Sequence, residues 1–142
     1  MISIITVLIF NNINIFITYK YTTRIEMALQ VYGIKNCNTV KKALTWLDEN
    51  KIAYTFHDYK KEPATLQQLE AWENEISWEA LVNKKGTTWR KLSPEEQTTV
   101  VDADSANQVL LKNNSMIKRP LIESSKGIIL GFDEEEYQAK LK

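Results

Sequence analysis

The 142-residue sequence is poor in cysteine and histidine, with one of each, and contains only four glycines and three prolines. A single cysteine excludes an internal disulfide framework and leaves no second thiolate for a structural zinc site. We therefore expect a reducing, cytoplasmic compartment, no metal site and no tightly bound cofactor. The remaining question is whether the lone thiol packs as a small hydrophobe or reacts.

The sequence also lacks a net charge, because 18 basic residues balance 18 acidic ones. A dedicated nucleic-acid-binding protein normally carries a basic surplus, so we expect no nucleic-acid partner. The hydrophobic fraction of 44% and the charged fraction of 25% are ordinary for a globular protein. A chain of this length suits one domain with a sizeable core.

Residues 1–26 differ from the rest. Positions 1–19 carry no charge and are rich in isoleucine, which suggests a membrane segment by length. However, three asparagines lie at the centre, where each amide would need a partner in hydrocarbon, and a basic n-region and a small-residue cleavage site are both lacking. We interpret this stretch as translated upstream sequence before a true start at Met27. A weak membrane anchor is the alternative; otherwise we expect no membrane partner.

The first part of residues 27–142 predicts a strand, a helix and a second strand. Leu29–Tyr32 forms a short apolar run, and the alternating, aromatic-rich "IAYTFHDY" at 52–59 resembles a second strand. Strand, helix and strand within about 30 residues form a βαβ unit with parallel strands. The helix between them is indicated by an apolar stripe at Val40, Ala43, Leu44 and Leu47.

The middle of the chain, about 64–115, predicts a helical insert. Thr65 and Gln68 form a capping box, and "SPEEQ" at 93–97 combines an N-cap serine, a proline at N1 and a glutamate at N3. A short helical piece is expected at "SWEALV", and a further helix is expected to open at Asp104.

The C-terminal part predicts an antiparallel hairpin and a last helix. "RPLIES" and "IILGF" are joined by the turn "SKG", and Asp133 with Glu136 caps the helix that follows. The order βαβ, helical insert, ββα predicts an α/β, thioredoxin-like fold with an inserted helical subdomain.

Cys37 is expected at the N-terminus of the first helix, just after the first strand. Unpaired backbone N–H groups and the positive end of the helix dipole stabilise a thiolate there and form an oxyanion site. The amide side chains of Asn36 and Asn38 suit helix capping or anion binding. The alternative is that Cys37 is a buried small hydrophobe, as free cysteines often are.

Arg119 and Pro120, at the start of the third predicted strand, are expected to form the second half of the site. A proline there cannot donate to the sheet, and its peptide bond is cis at modest cost. In the thioredoxin layout this strand begins beside the reactive thiol, so Arg119 would bind an oxyanion or carboxylate with a bidentate fork. The alternative is an edge-strand proline next to a surface charge.

Several motifs together resemble the arsenate-reductase-like (ArsC) family, in particular its YffB-type branch, with the Spx regulators as more distant relatives. They are "YGIKNCNTVKKALTWL", "FHDYKKE", "WEALVNKKGTTWRKL", "IKRPLI" and "LGFDEEEY", in this order from about Leu29 to the C-terminus. The resemblance implies a monothiol mechanism in which Cys37 is the nucleophile and works with glutathione. It also implies that Arg119 is one of the arginines that hold the oxyanion.

The chain departs from the pattern of true arsenate reductases at two further arginine positions. Asn83 stands at one and Phe132 at the other, which makes arsenate a doubtful substrate; Arg90 is a candidate to compensate. The Spx redox switch would need a cysteine at Val40, which this sequence lacks.

We therefore predict a glutathione-dependent monothiol oxidoreductase with catalytic residues Cys37 and Arg119. Glutathione would act as co-substrate, beside a small thiol, disulfide or oxyanion substrate. The alternative is a Spx-like, non-enzymatic regulator that contacts the transcription machinery. Substrate or glutathione binding is predicted for Asn36, Asn38, Thr39, Arg90 and Pro120.

Overall fold

A computed structural model describes residues 28–142, so the expectations for residues 1–26 lie outside the described range. The longest helix in this range has 12 residues, and no helix described is long and apolar enough to cross a membrane. The elements in chain order are β1 (Leu29–Gly33), α1 (Asn38–Glu49), β2 (Tyr54–Asp58), α2 (Leu66–Glu73), α3 (Trp78–Leu81), α4 (Thr87–Arg90), α5 (Pro94–Thr98), α6 (Ala103–Lys112), a 3-10 helix (Asn114–Met116), β3 (Leu121–Ser124), β4 (Gly127–Leu130) and α7 (Glu134–Leu141).

The four strands form one mixed sheet in the order β2-β1-β3-β4. β1 and β2 are parallel, with Val31 opposite Phe56, which confirms the predicted βαβ unit. β3 is antiparallel to both β1 and β4, which confirms the predicted hairpin. The α/β, thioredoxin-like fold is therefore as expected from the sequence.

Each central strand sends alternate side chains to opposite faces of the sheet, as the two-residue period of a strand requires. Val31 packs with Trp46 and Tyr137 on the face covered by α1 and α7. Its neighbour Tyr32 packs on the other face with Trp72, among the helices that lie between β2 and β3. The sheet is thus covered by helices on both sides.

Local capping signals place the helices between β2 and β3. The Thr65 and Gln68 capping box opens α2, and a second capping box opens α5 at 93–96, both as predicted. The expectation that Asp104 opens α6 is wrong, because the N-cap is Asp102. The Asp102 side chain accepts a hydrogen bond from the Ser105 N–H at 2.8 Å, and Ser105 is the N3 residue that completes the capping box.

Candidate functional site

Cys37 is the N-cap of α1, as predicted. β1 ends at Gly33, and a short loop leads to Cys37, whose extended backbone has φ −134° and ψ 125°. The Cys37 carbonyl accepts the first hydrogen bond of the helix from the Lys41 N–H at 2.9 Å. The side chain is half-buried, so the thiol is partly accessible to solvent.

Gly33 allows α1 to lie close to the end of β1. A Cβ atom at this position would lie 2.9 Å from Cγ2 of Val40 and 3.6 Å from Cε2 of Phe56. Val40 is completely buried, so it has little room to move. The absence of a side chain at Gly33 therefore helps to set where the first turn of α1, and with it Cys37, sits over the sheet.

The pKa of Cys37 lies below the usual value of a cysteine thiol. Partial burial of the thiol raises its pKa, but this effect is outweighed by the Val40 N–H, the Arg119 side chain and the Thr39 N–H, which favour the thiolate. The neutral Cys37 thiol makes no hydrogen bond that caps α1. The helix amides therefore act mainly on the charged form of the sulfur.

Arg119 reaches Cys37 from the segment before β3. Its guanidinium is the cationic side chain that lowers the pKa of Cys37, because its N–H groups and its positive charge favour the thiolate. The Arg119–Pro120 peptide bond is cis, and Pro120 is buried. The Pro120 carbonyl accepts a 2.8 Å hydrogen bond from the Gly131 N–H, which joins this segment to the end of β4.

The backbone of Ser115 helps to fix the position of the Arg119 side chain. Its carbonyl accepts a hydrogen bond from Nη1 of Arg119. The Ser115 hydroxyl is 2.9 Å from Oγ1 of Thr88, on α4. The helices between β2 and β3 are therefore connected to the thiol through one guanidinium. Sequence reasoning missed Ser115, because every residue type presents a backbone carbonyl and no residue signal marks this contact.

Two buried donors, one on Arg119 and one near it, have no hydrogen-bond partner among residues 28–142. They are Nε of Arg119 and the hydroxyl of Tyr59, whose side chain is only 4% exposed. Burial raises the pKa of Tyr59, and the charge of Arg119 lowers it, so the two groups are close and the hydroxyl stays protonated. Unpaired buried donors are costly, and a bound anion would satisfy them.

The structure separates the other predicted site residues into two groups. Asn36, Asn38 and Thr39 have exposed side chains that flank Cys37, where they are accessible to a ligand. Arg90 is exposed at the end of α4 and donates to the Lys85 carbonyl. It is absent from the groups that shift the pKa of Cys37, and its compensating role toward an oxyanion stays a prediction.

The residues at the two missing arginine positions have local packing roles. Phe132 packs edge-on against Tyr137 with ring centroids 5.1 Å apart, within the core under α7. The Asn83 N–H donates to the Met116 carbonyl at 2.8 Å, and the Asn83 carbonyl accepts from Gly86 at 3.0 Å. Neither residue supplies a cation to the site.

The chain matches the family model described as ArsC family over residues 32–140. An uncharacterised protein from Haemophilus influenzae is 45% identical over 111 residues, covering 78% of this chain and 96% of that protein. The solved structure of the YffB protein has a TM-score of 0.76 and 42% identity, covering 81% of this chain and all of that one. An arsenate reductase (ArsC) related protein from Brucella melitensis has a TM-score of 0.66 and 44% identity, covering 82% and 96% of the two chains.

Proteins described as global transcriptional regulators also match, at lower identity. Spx 1 of Lactococcus lactis is 25% identical over 118 residues, covering 80% of this chain and 88% of that protein. Similarity therefore extends both to a protein described as related to an arsenate reductase and to proteins described as transcriptional regulators.

Proposed function

Because the chain belongs to the ArsC family, we propose that it is a glutathione-dependent thiol oxidoreductase that acts through Cys37. The observation that carries this proposal is the position of a half-buried thiol as the N-cap of α1, where the helix amides and the nearby Arg119 side chain lower its pKa. A thiolate is the nucleophile in thiol–disulfide exchange, and a lowered pKa also makes the same sulfur a better leaving group.

The requirement for an external thiol follows from the cysteine count. Reduction of a disulfide by one cysteine ends in a mixed disulfide, which needs a second thiol to resolve it. The chain contains no second cysteine, so that thiol must come from solution. Glutathione suits the site because it is small and anionic, and Arg119 attracts an anionic partner.

The proposed cycle has two exchange steps. The Cys37 thiolate attacks the glutathione sulfur of a mixed disulfide GS–SR, forming Cys37–S–SG and releasing RS⁻, which takes a proton from water. A glutathione thiolate then attacks the glutathione sulfur of this adduct, releasing GSSG and the Cys37 thiolate. The net reaction reduces GS–SR and oxidises one further glutathione, giving RSH and GSSG.

The helix N-terminus and Arg119 favour both steps. In the first step they keep Cys37 deprotonated, and in the second step they stabilise the negative charge that returns to its sulfur. Asn36, Asn38 and Thr39 line the approach to the thiol, and Pro120 shapes the wall from which Arg119 extends. Arsenate is disfavoured as a substrate, because Asn83 and Phe132 add no positive charge for its oxyanion.

The test follows the reduction of the mixed disulfide of glutathione and 2-mercaptoethanol in the presence of excess glutathione. We expect the full chain to produce GSSG catalytically and to carry one glutathione adduct by intact-mass analysis. Cys37→Ser should lose both signals, and Lys51→Gln, far from the thiol, should keep both. A wild-type chain with neither turnover nor adduct would contradict the proposal.

A regulatory function is the second candidate, favoured by the similarity to Spx proteins. It requires stable binding to the transcription machinery and no turnover. Affinity purification of the Cys37→Ser chain separates the two functions, because binding to a transcription complex does not need the thiol. Catalytic turnover together with no such complex would leave the oxidoreductase as the sole function.

A further inference from the structure

A hollow that we call the lysine cavity lies between the β1–α1 loop and the 3-10 helix. Its volume is about 310 Å³. Lys60 and Lys112 are its charged lining residues, with no acidic side chain in the lining. Both lysines are exposed, and the two ion pairs found within residues 28–142 involve other side chains. The lysine cavity therefore offers two uncompensated positive charges to an anion.

The lysine cavity adjoins the thiol through Arg119. Ser115 lines the cavity, and its carbonyl accepts a hydrogen bond from the guanidinium that lowers the pKa of Cys37. One guanidinium between a bonded carbonyl and a nearby thiolate spans about 9 Å. In an extended tripeptide thiol, about 7 Å separates the cysteinyl sulfur from the C-terminal carboxylate. A tripeptide bound at Cys37 is thus long enough to place its carboxylate in the cavity.

Tyr59 gives independent support for a ligand in the lysine cavity. It lines the cavity, its side chain is 4% exposed, and its hydroxyl has no hydrogen-bond partner among residues 28–142. A carboxylate that entered the cavity would offer an acceptor near an otherwise unpaired donor.

A second hollow, which we call the mixed-charge groove, runs along α1 toward its C-terminal end. Its volume is about 420 Å³. It begins one turn beyond Cys37 at Lys41, and it includes Phe132, which follows the Gly131 that bonds to Pro120. Unlike the lysine cavity, the groove contains both signs of charge, contributed by Lys41, Lys42, Glu49 and Glu134.

The two ends of glutathione differ in the same way as the two hollows. The glycine end carries one carboxylate, whereas the γ-glutamyl end carries an ammonium group and a carboxylate. Resting on the glutathione dependence proposed above, we propose that the lysine cavity binds the glycine carboxylate and that the γ-glutamyl end lies in the mixed-charge groove. The cysteinyl sulfur then lies between them, at Cys37.

The experiment measures how fast Cys37 of the full chain forms a mixed disulfide, by intact-mass analysis over time. The reaction is Cys37–S⁻ + GSSG → Cys37–S–SG + GS⁻. The two probes are GSSG and its diester, in which both glycine carboxylates are ethyl esters and the γ-glutamyl ends are unchanged. The test variant is Lys60→Gln/Lys112→Gln. The matched control, Lys51→Gln/Lys126→Gln, removes the same charge from the end of α1 and the β3–β4 turn, far from Cys37.

We expect wild type to react with GSSG roughly 3- to 10-fold faster than with the diester. This is the size of effect expected when the glycine carboxylate forms one or two exposed ion pairs with the lysines. The test variant should react with GSSG at the diester rate and keep its rate with the diester, and the control should behave as wild type. Added salt should reduce the wild-type preference.

Three results would overturn the inference, and they separate its failure from that of the proposed function. Equal wild-type rates with GSSG and the diester, or an equal loss with both probes in the test variant, would refute this orientation and leave the proposed function standing. No adduct with either probe would refute the proposed function and this inference with it.

Discussion

Substitution of Gly33 by alanine tests whether the close approach of β1 and α1 positions the thiol. In an unhindered strand, alanine in place of glycine stabilises a protein by about 0.4–1 kcal/mol, because it restricts the unfolded chain. Here the new Cβ would lie 2.9 Å from Cγ2 of Val40, which is fully buried. Overpacking of this kind costs about 1–3 kcal/mol. We therefore expect a net destabilisation of about 0.5–2 kcal/mol.

Thermal unfolding measures this effect. For a domain of this size, 1 kcal/mol corresponds to about 4 °C in Tm, so Gly33→Ala should lower Tm by about 2–8 °C. Relief of the clash should also displace the first turn of α1, and Cys37 with it, relative to Arg119. Since the Arg119 side chain favours the thiolate, a longer distance between the sulfur and the guanidinium should raise the pKa of Cys37. The pH dependence of iodoacetamide alkylation reports this second effect.

A double-mutant cycle with Val40→Ala isolates the contact. Val40→Ala alone should cost about 1.5–3 kcal/mol, because it removes buried methyl groups. In the double variant the alanine Cβ occupies part of the vacated space, so the combined loss should be smaller than the sum of the single losses. A Gly33→Ala chain at least as stable as wild type, or strictly additive losses, would refute the reasoning.

Three further predictions concern the site and the domain. Arg119→Met should raise the pH midpoint of Cys37 alkylation, because it removes a cation that favours the thiolate, whereas Arg90→Met should leave the midpoint unchanged. Purified chain should reduce arsenate poorly in a glutathione-coupled assay, since each missing charge-assisted hydrogen bond, as at Phe132, forfeits about 1.5–3 kcal/mol; efficient reduction would contradict this. Burial raises the pKa of Glu73, so its contribution to stability is present at low pH and is lost as pH rises through the folded-state pKa. Glu73→Gln should therefore raise Tm at pH 7 and raise it less at pH 4, and a lower Tm at pH 7 would contradict the assignment.

The sequence alone determined the local features of this protein. The period of apolar residues predicts α1, and the capping residues predict where α2 and α5 begin, because these signals act within about four residues. The same reasoning places Cys37 at a helix N-terminus. It failed at Asp104, because two acidic residues lie two positions apart and only Asp102 has a serine at N3.

The tertiary structure decided which distant groups meet. Arg119 comes close to Cys37 because β3 pairs with β1. The Ser115 carbonyl accepts a hydrogen bond from its guanidinium, a contact that the residue type does not reveal. The lysine cavity likewise joins residues from separate elements, whose proximity depends on strand order and helix packing. Sequence patterns predict each helix and strand from the periodicity of its apolar residues. The relative positions of the elements follow from burying both faces of one sheet, which is a property of the whole chain.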